Sequence, residues 1–131
     1  HQLRDAFTGA FEGVASEDRQ FLGGENIGQL MDRVHPAIDK LRADPDWDTV
    51  LLVLHGGVNR AILSYALTGQ RLYLCNRRQT AGCINALDVG QSRMDWVVRL
   101  MNYSPPSELQ AESRGTTMEA LFAQYKKARG L

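Results

Sequence analysis

The segment Val50-Leu51-Leu52-Val53-Leu54-His55-Gly56-Gly57-Val58-Asn59-Arg60 governs the reading of this chain. Its five consecutive apolar residues read as a strand buried on both faces, the pattern of a central strand in a parallel sheet. The run stops at a histidine and two glycines, and over 59–67 the residues Ala61, Ile62, Tyr65 and Ala66 take up helical spacing. A histidine at the carboxyl end of a parallel strand, beside a helix start, sits where open α/β sheets bind ligands. The helix start offers unpaired N–H groups and the positive end of a dipole, so the ligand expected there is an anion, phosphate above all. His55 is therefore the first candidate for function. Two plainer readings stand beside it: a capped or solvated loop histidine, and a glycine pair that only provides a tight turn.

Around this segment the chain is regular. Residues 1–24 form an irregular, glycine-containing stretch. Asn26 and Gln29 have the spacing of a capping box, which predicts a helix with Ile27, Leu30, Met31, Val34, Ile38 and Leu41 on one face. Asp44-Pro45-Asp46 ends it. The helix after the glycines breaks at Thr68-Gly69-Gln70. Residues 82–89 read as a strand, Gly90-Gln91-Ser92 as a turn, and 94–103 as a hairpin partner with Trp96, Val98 and Leu100 on one face. Pro105-Pro106 opens a loop over 104–115. Thr116 and Glu119 then cap a last helix over 116–128, with Met118, Leu121, Phe122 and Tyr125 as its stripe. A β-α-β order followed by a hairpin suits a mixed, mainly parallel α/β sheet.

Composition narrows the function classes. At 131 residues and 44% hydrophobic, the chain has the size of one core. Lys+Arg and Asp+Glu both number 15, so neither a nucleic-acid face nor a polybasic membrane patch is indicated. No apolar run approaches the ~18 residues of a membrane span. Cys75 and Cys83 lack Cys-x-x-Cys spacing and paired histidines, which argues against a zinc site. They read as ordinary thiols of a reducing compartment, and the expected location is cytoplasmic.

Leu52-Val53-Leu54-His55-Gly56-Gly57 followed by Ala61-Ile62-Leu63 resembles the second signature of the histidine phosphatase (phosphoglycerate-mutase-like) superfamily, where an apolar strand ends in His-Gly and leads into an apolar helix. Leu3-Arg4-Asp5-Ala6-Phe7-Thr8-Gly9-Ala10-Phe11-Glu12-Gly13 resembles the family's Leu-x-Glu-x-x-x-Gly-x-x-Glu-Gly segment, whose first carboxylate is the usual proton donor. Gly24-Glu25-Asn26 with Arg33 resembles its Gly-Glu-Ser segment and the arginine of the following helix. The likeness covers most of residues 3–103 and implies a three-layer, mainly parallel sheet with helices on both faces. The family's opening Arg-His-Gly, which supplies the phosphorylated histidine and a phosphate-gripping arginine, has no counterpart: His1 precedes Gln2, His35 precedes Pro36 and His55 follows Leu54. The expectation is therefore that residues 1–131 are the C-terminal part of a single histidine phosphatase domain, holding half an active site. A strand lying beside 50–55 would then come from an upstream segment or from a second chain.

The resemblance implies a metal-independent phosphatase acting on a small phosphomonoester through a phosphohistidine, with no cofactor. His55 would donate hydrogen bonds to the transferring phosphoryl group, helped by the N–H of Gly56 and the helix start. Asn59 is close enough in sequence to reach the phosphate. Asp5 stands where the family has its glutamate donor and is one methylene shorter, with Glu12 as the standby. Gly57 replaces the asparagine typical of the mutase branch, and Ala6 its arginine, both of which favour a phosphatase over a mutase. The partners expected are a phosphorylated small molecule or inorganic phosphate, not nucleic acid or membrane, with a homodimer left open. Two other classes compete: a non-catalytic phosphate-binding module, and a plain structural or interaction domain. A Rossmann reading is weaker, because no Gly-x-Gly-x-x-Gly follows a strand.

The remaining polar residues have structural readings. Glu25 and Asn26 suit a helix start, and Arg33 suits an ion pair. Arg60 is expected to face solvent or an acidic neighbour. Asn85 and Asn102 are placed to bridge backbone groups of the terminal strands. Trp47 and Trp96 read as packing residues rather than ligand platforms.

Overall fold

The computed structural model describes residues 13–20, 23–92, 94–106 and 115–130. Asp5 and Glu12 lie outside them. The elements among the described residues run β1 (Val14–Ala15), α1 (Ile27–Ala43), α2 (Gly56–Thr68), β2 (Tyr73–Leu74), β3 (Ile84–Val89), β4 (Trp96–Tyr103) and α3 (Thr117–Arg129).

Local signals set the helix ends. Asn26 Oδ1 accepts from Gln29 N at 2.7 Å and Gln29 Oε1 from Asn26 N at 3.0 Å, closing the predicted capping box of α1. At the other end Leu41 O accepts from Asp44 N at 3.2 Å and from Trp47 Nε1 at 2.8 Å, so a carbonyl of the last turn is doubly satisfied. Gly69 ends α2 at φ 64°, a left-handed cap in which a side chain would also collide with Met94. Helix α3 starts at its own predicted box, Thr116 with Glu119.

Helices α1 and α2 pack together with β1 and β2 into one core of Ala15, Leu30, Met31, Val34, Ile38, Ala61, Ile62, Tyr73 and Cys75. Fully buried side chains such as Met31 and Leu63 each contribute about 1.5–3 kcal/mol of apolar burial. Ser64, wholly buried, joins the layers: its Oγ donates to Arg60 O at 2.6 Å and accepts from Leu74 N at 2.9 Å. An exposed clamp does the same from outside, with Arg71 holding Glu17 and Asp32 at 2.7 Å each. No sequence pattern announces this clamp, because its partners are 54 and 39 residues away from Arg71.

The sheet departs from expectation. Among the described residues there are two antiparallel pairs, β1 with β2 and β3 with β4, and no parallel ladder. The hairpin forms as read, with Val89 opposite Trp96 and Leu87 opposite Val98, but Leu100 is exposed rather than shielded. Residues 50–55, expected as a strand buried on both faces, have no ladder partner among the described residues. Leu51 and Val53 are 87% and 90% exposed, while Val50, Leu52 and Leu54 lie near 40%. That alternation is the two-residue period of a strand with one half-covered face. The physical reason for the difference is the lack of neighbours: an apolar run is buried only when strands flank it and layers cover it. The described residues thus combine helices with two small antiparallel sheets, and the expected three-layer parallel sheet is not seen among them. No helix among these residues is long and apolar enough to cross a membrane.

Candidate functional site

His55 is the N-cap of α2, in extended conformation (φ −100°, ψ 156°), and its side chain makes no capping bond. The first intrahelical bond runs from Asn59 N to His55 O at 2.9 Å. The N–H groups of Gly56, Gly57 and Val58 precede it and have no intrahelical acceptor, and no acidic side chain stands in this turn to neutralise the dipole. Gly56 and Gly57 are not a turn, as one reading had it; they are the first two helical residues, at ordinary negative φ. A Cβ at either would meet only ordinary contacts, with Gln79 at 3.6 Å and with the Tyr73 hydroxyl at 3.9 Å.

A cleft of about 1780 Å³ runs along residues 50–60 and across to β3. His55, Gly56 and Asn59, three of the four residues singled out from sequence, line it together; Asp5 falls outside the described residues. The far wall is the loop between β2 and β3, residues 79–83, followed by Asn85. The buried Thr116, at the start of α3, also lines the cleft, and Glu119 beside it meets Arg78 of the same loop at 3.4 Å.

The cationic residues of the cleft are engaged. Arg33 grips Glu25 in a bidentate pair, Nε to Oε1 at 2.7 Å and Nη2 to Oε2 at 3.0 Å, which holds the Glu25 carboxyl below its usual range and raises the arginine. This is the structural pair expected for Arg33. Arg60 departs from the solvated reading: it is buried, and its Nε donates to Arg77 O at 2.9 Å. The reason is that α2 is enclosed on every side over residues 60–65, so the helix has no solvent face there. Burial raises the Tyr73 hydroxyl pKa, with Arg60 opposing the rise, and burial raises the Cys75 thiol.

Asn85 and Asn102 bridge backbone groups as their strand positions suggest. Asn85 Oδ1 accepts from Asn102 N at 2.9 Å, and Asn102 Oδ1 from Thr80 N at 2.8 Å. Gln79, which completes this set, has no sequence signature, since an irregular loop shows no periodicity that marks a buried polar side chain. Trp96 packs between Arg42, 4.4 Å over its ring, and the edge of Tyr65, at 6.4 Å. Among the described residues no group of three His, Cys, Asp or Glu side chains is placed to hold a metal ion.

A sequence model of the histidine phosphatase superfamily (branch 1) matches residues 2–104. The chain belongs to this superfamily. The match takes in every site residue named from sequence and stops short of α3. No curated protein and no solved structure matches the chain. Membership in the superfamily supports phosphatase or mutase-type chemistry in general and leaves the substrate open.

Proposed function

We propose that this histidine phosphatase superfamily member hydrolyses a small phosphomonoester through a phosphohistidine, with the nucleophilic histidine supplied from upstream of residue 1. The observation that carries the reading is His55 standing at the N-terminus of α2 on the wall of the cleft, beside N–H groups that have no intrahelical acceptor. In the first step a nitrogen of the upstream imidazole bonds to phosphorus as the ester P–O bond breaks. The departing alkoxide takes a proton from Asp5, or from Glu12 as the alternative donor. Water then attacks phosphorus, the P–N bond breaks, and the same carboxylate accepts the water proton. Through both steps His55 and the N–H of Gly56 donate to the equatorial oxygens, where charge accumulates. Asn59 adds a side-chain amide to the same oxygens. No cofactor enters these steps.

The proposed frame is a three-layer, mainly parallel sheet in which residues 50–55 are a central strand and residues 1–131 form the C-terminal part of one domain. A phosphatase is favoured over a mutase by Gly57 and Ala6, at positions where the mutase branch carries asparagine and arginine. A second reading, a non-catalytic phosphate-binding module, would be supported by an upstream sequence that lacks Arg-His-Gly.

Hydrolysis of an aryl phosphate without added metal, by the complete gene product and its His55→Ala variant, tests the proposal. The expected result is activity in the parent and a loss of about 10²–10³-fold in kcat in the variant, the usual magnitude for removing one oxyanion donor. A folded parent that binds phosphate without hydrolysing any aryl phosphate favours the binding module. A parent that neither binds nor hydrolyses leaves only a structural role.

A further inference from the structure

We propose that Gln79 is a positioning residue for the His55–Gly56 step, acting through a closed amide network at the far wall of the cleft. The inference rests on the reading of His55 given above. Gln79 is 7% exposed. Its Nε2 donates to Arg78 O at 2.8 Å and to Asn85 Oδ1 at 3.0 Å. Its Oε1 accepts from Asn85 Nδ2 at 2.6 Å and from Cys83 Sγ at 3.3 Å. A glutamine amide has two donor hydrogens and two acceptor lone pairs, and all four are used here. A buried amide in that state has one position, because any rotation leaves a desolvated polar atom unpaired.

The network continues beyond the pair. Asn85 Oδ1 also accepts from Asn102 N, and Asn102 Oδ1 accepts from both the N and the Oγ1 of Thr80, at 2.8 and 3.1 Å. Asn102 adopts φ 54°, a conformation asparagine tolerates better than most residues. Two asparagines, one on each strand of the hairpin, therefore fix two successive residues of the loop. From the opposite side Arg60 of α2 holds the same loop through Arg77 O.

What this fixed loop touches is the start of α2. A Cβ placed on Gly56 would lie 3.6 Å from Gln79 Cβ and 4.0 Å from Gln79 O, so Gln79 is the neighbour that faces the first helical residue, with space for about a methyl group between them. Gly56 has no side chain of its own to set that distance, and His55 makes no capping bond to hold its place. The hairpin, through Gln79, bounds the side of the His55–Gly56 step that no capping bond and no side chain fills. Preorganised donors lose catalytic value steeply when misplaced, by up to about 10²-fold for a shift near 1 Å.

The test uses the complete gene product with Gln79→Ala, with Asn85→Ser, which empties the other side of the amide pair, and with Arg99→Ala on the exposed Asp88 pair as control. Two readouts are taken: the Gly56 amide and His55 imidazole resonances, and kcat against KM on the aryl phosphate. Both network variants are expected to move the two resonances and to lower kcat about tenfold or more with KM within about threefold. The control should move neither. Resonances that superimpose on the parent's, or a kcat within twofold in an active parent, overturn the proposal and leave the network a purely structural one. If the parent is inactive, the resonances alone decide, so failure of the phosphatase reading is told apart from failure of this one. Should Gln79→Ala not fold, Asn85→Ser carries the same readouts.

Discussion

At the scale of single residues, the chemistry depends on which polar groups are committed and which are bare. Glu25 and Arg33 neutralise one another at the cleft edge, with side chains 36% and 57% exposed. Because Glu25 is held below its ordinary 4.5 by the Arg33 hydrogen bond, the pair stabilises the fold fully above that value, and the contribution is lost as pH falls through the lowered one. Solvent screening limits its worth to about 0.2–1 kcal/mol. Glu25→Gln should therefore cost that much at pH 7 and nothing at pH 2, with the difference shrinking in 1 M salt; urea unfolding at the two pH values measures it. A cost that persists at pH 2 would mean that packing, not charge, is what Glu25 supplies. His55 is legible in the sequence because its strand, its glycines and its helix are contiguous. Gln79 is not, because its burial is decided by Asn85 and Gly56, which lie six and 23 residues away. Arg60 misleads for the same reason: an arginine on a first helical turn reads as solvated until β2 and the loop beyond it close over that face.

At the scale of elements, ends are written locally and pairings are not. The boxes at Asn26/Gln29 and Thr116/Glu119 span three residues each, and both helices begin where the sequence places them. Removing a capping oxygen strands an N–H of the first turn, at about 1 kcal/mol. Asn26→Ala is therefore expected to lower the unfolding free energy by about 1 kcal/mol, while Asn26→Ser, which keeps an acceptor, should cost a few tenths at most. Chemical denaturation of the two variants checks this, and equal losses in both would show that the Asn26 side chain contributes something other than the cap. The hairpin is equally legible, since Gly90-Gln91-Ser92 separates two runs of strand-forming residues. Its bulges between Ile84 and Leu87 are not, because they follow from Asn102 and Asn85 meeting across the strands. The two-residue strands β1 and β2 escape any periodicity argument by their shortness, and their pairing spans about sixty residues of chain.

At the scale of the whole molecule, one feature outweighs the rest. A run of five apolar residues, with Leu51 and Val53 about nine-tenths exposed and without a ladder partner among the described residues, is unstable as it stands. Its open N–H and C=O groups form a template for another strand, and its apolar face requires a covering layer. If an upstream segment or a second chain supplies both, then the 131 residues alone should self-associate, sediment as oligomers and unfold without a sharp transition. Lysines at these positions separate the two situations, because their effects have opposite sign. In the isolated chain, Leu51→Lys with Val53→Lys places charge on an exposed strand and should reduce association. In the complete gene product the same pair buries two charges beneath the layer that covers Leu51 and Val53, at several kcal/mol, and should abolish cooperative folding. A 131-residue chain that is monomeric and folds cooperatively alone, together with a complete product indifferent to both lysines, would mean that residues 50–55 form an exposed surface. The cleft beside His55 would then be finished without further strands, and the phosphohistidine proposal would lose the place where its nucleophile is delivered.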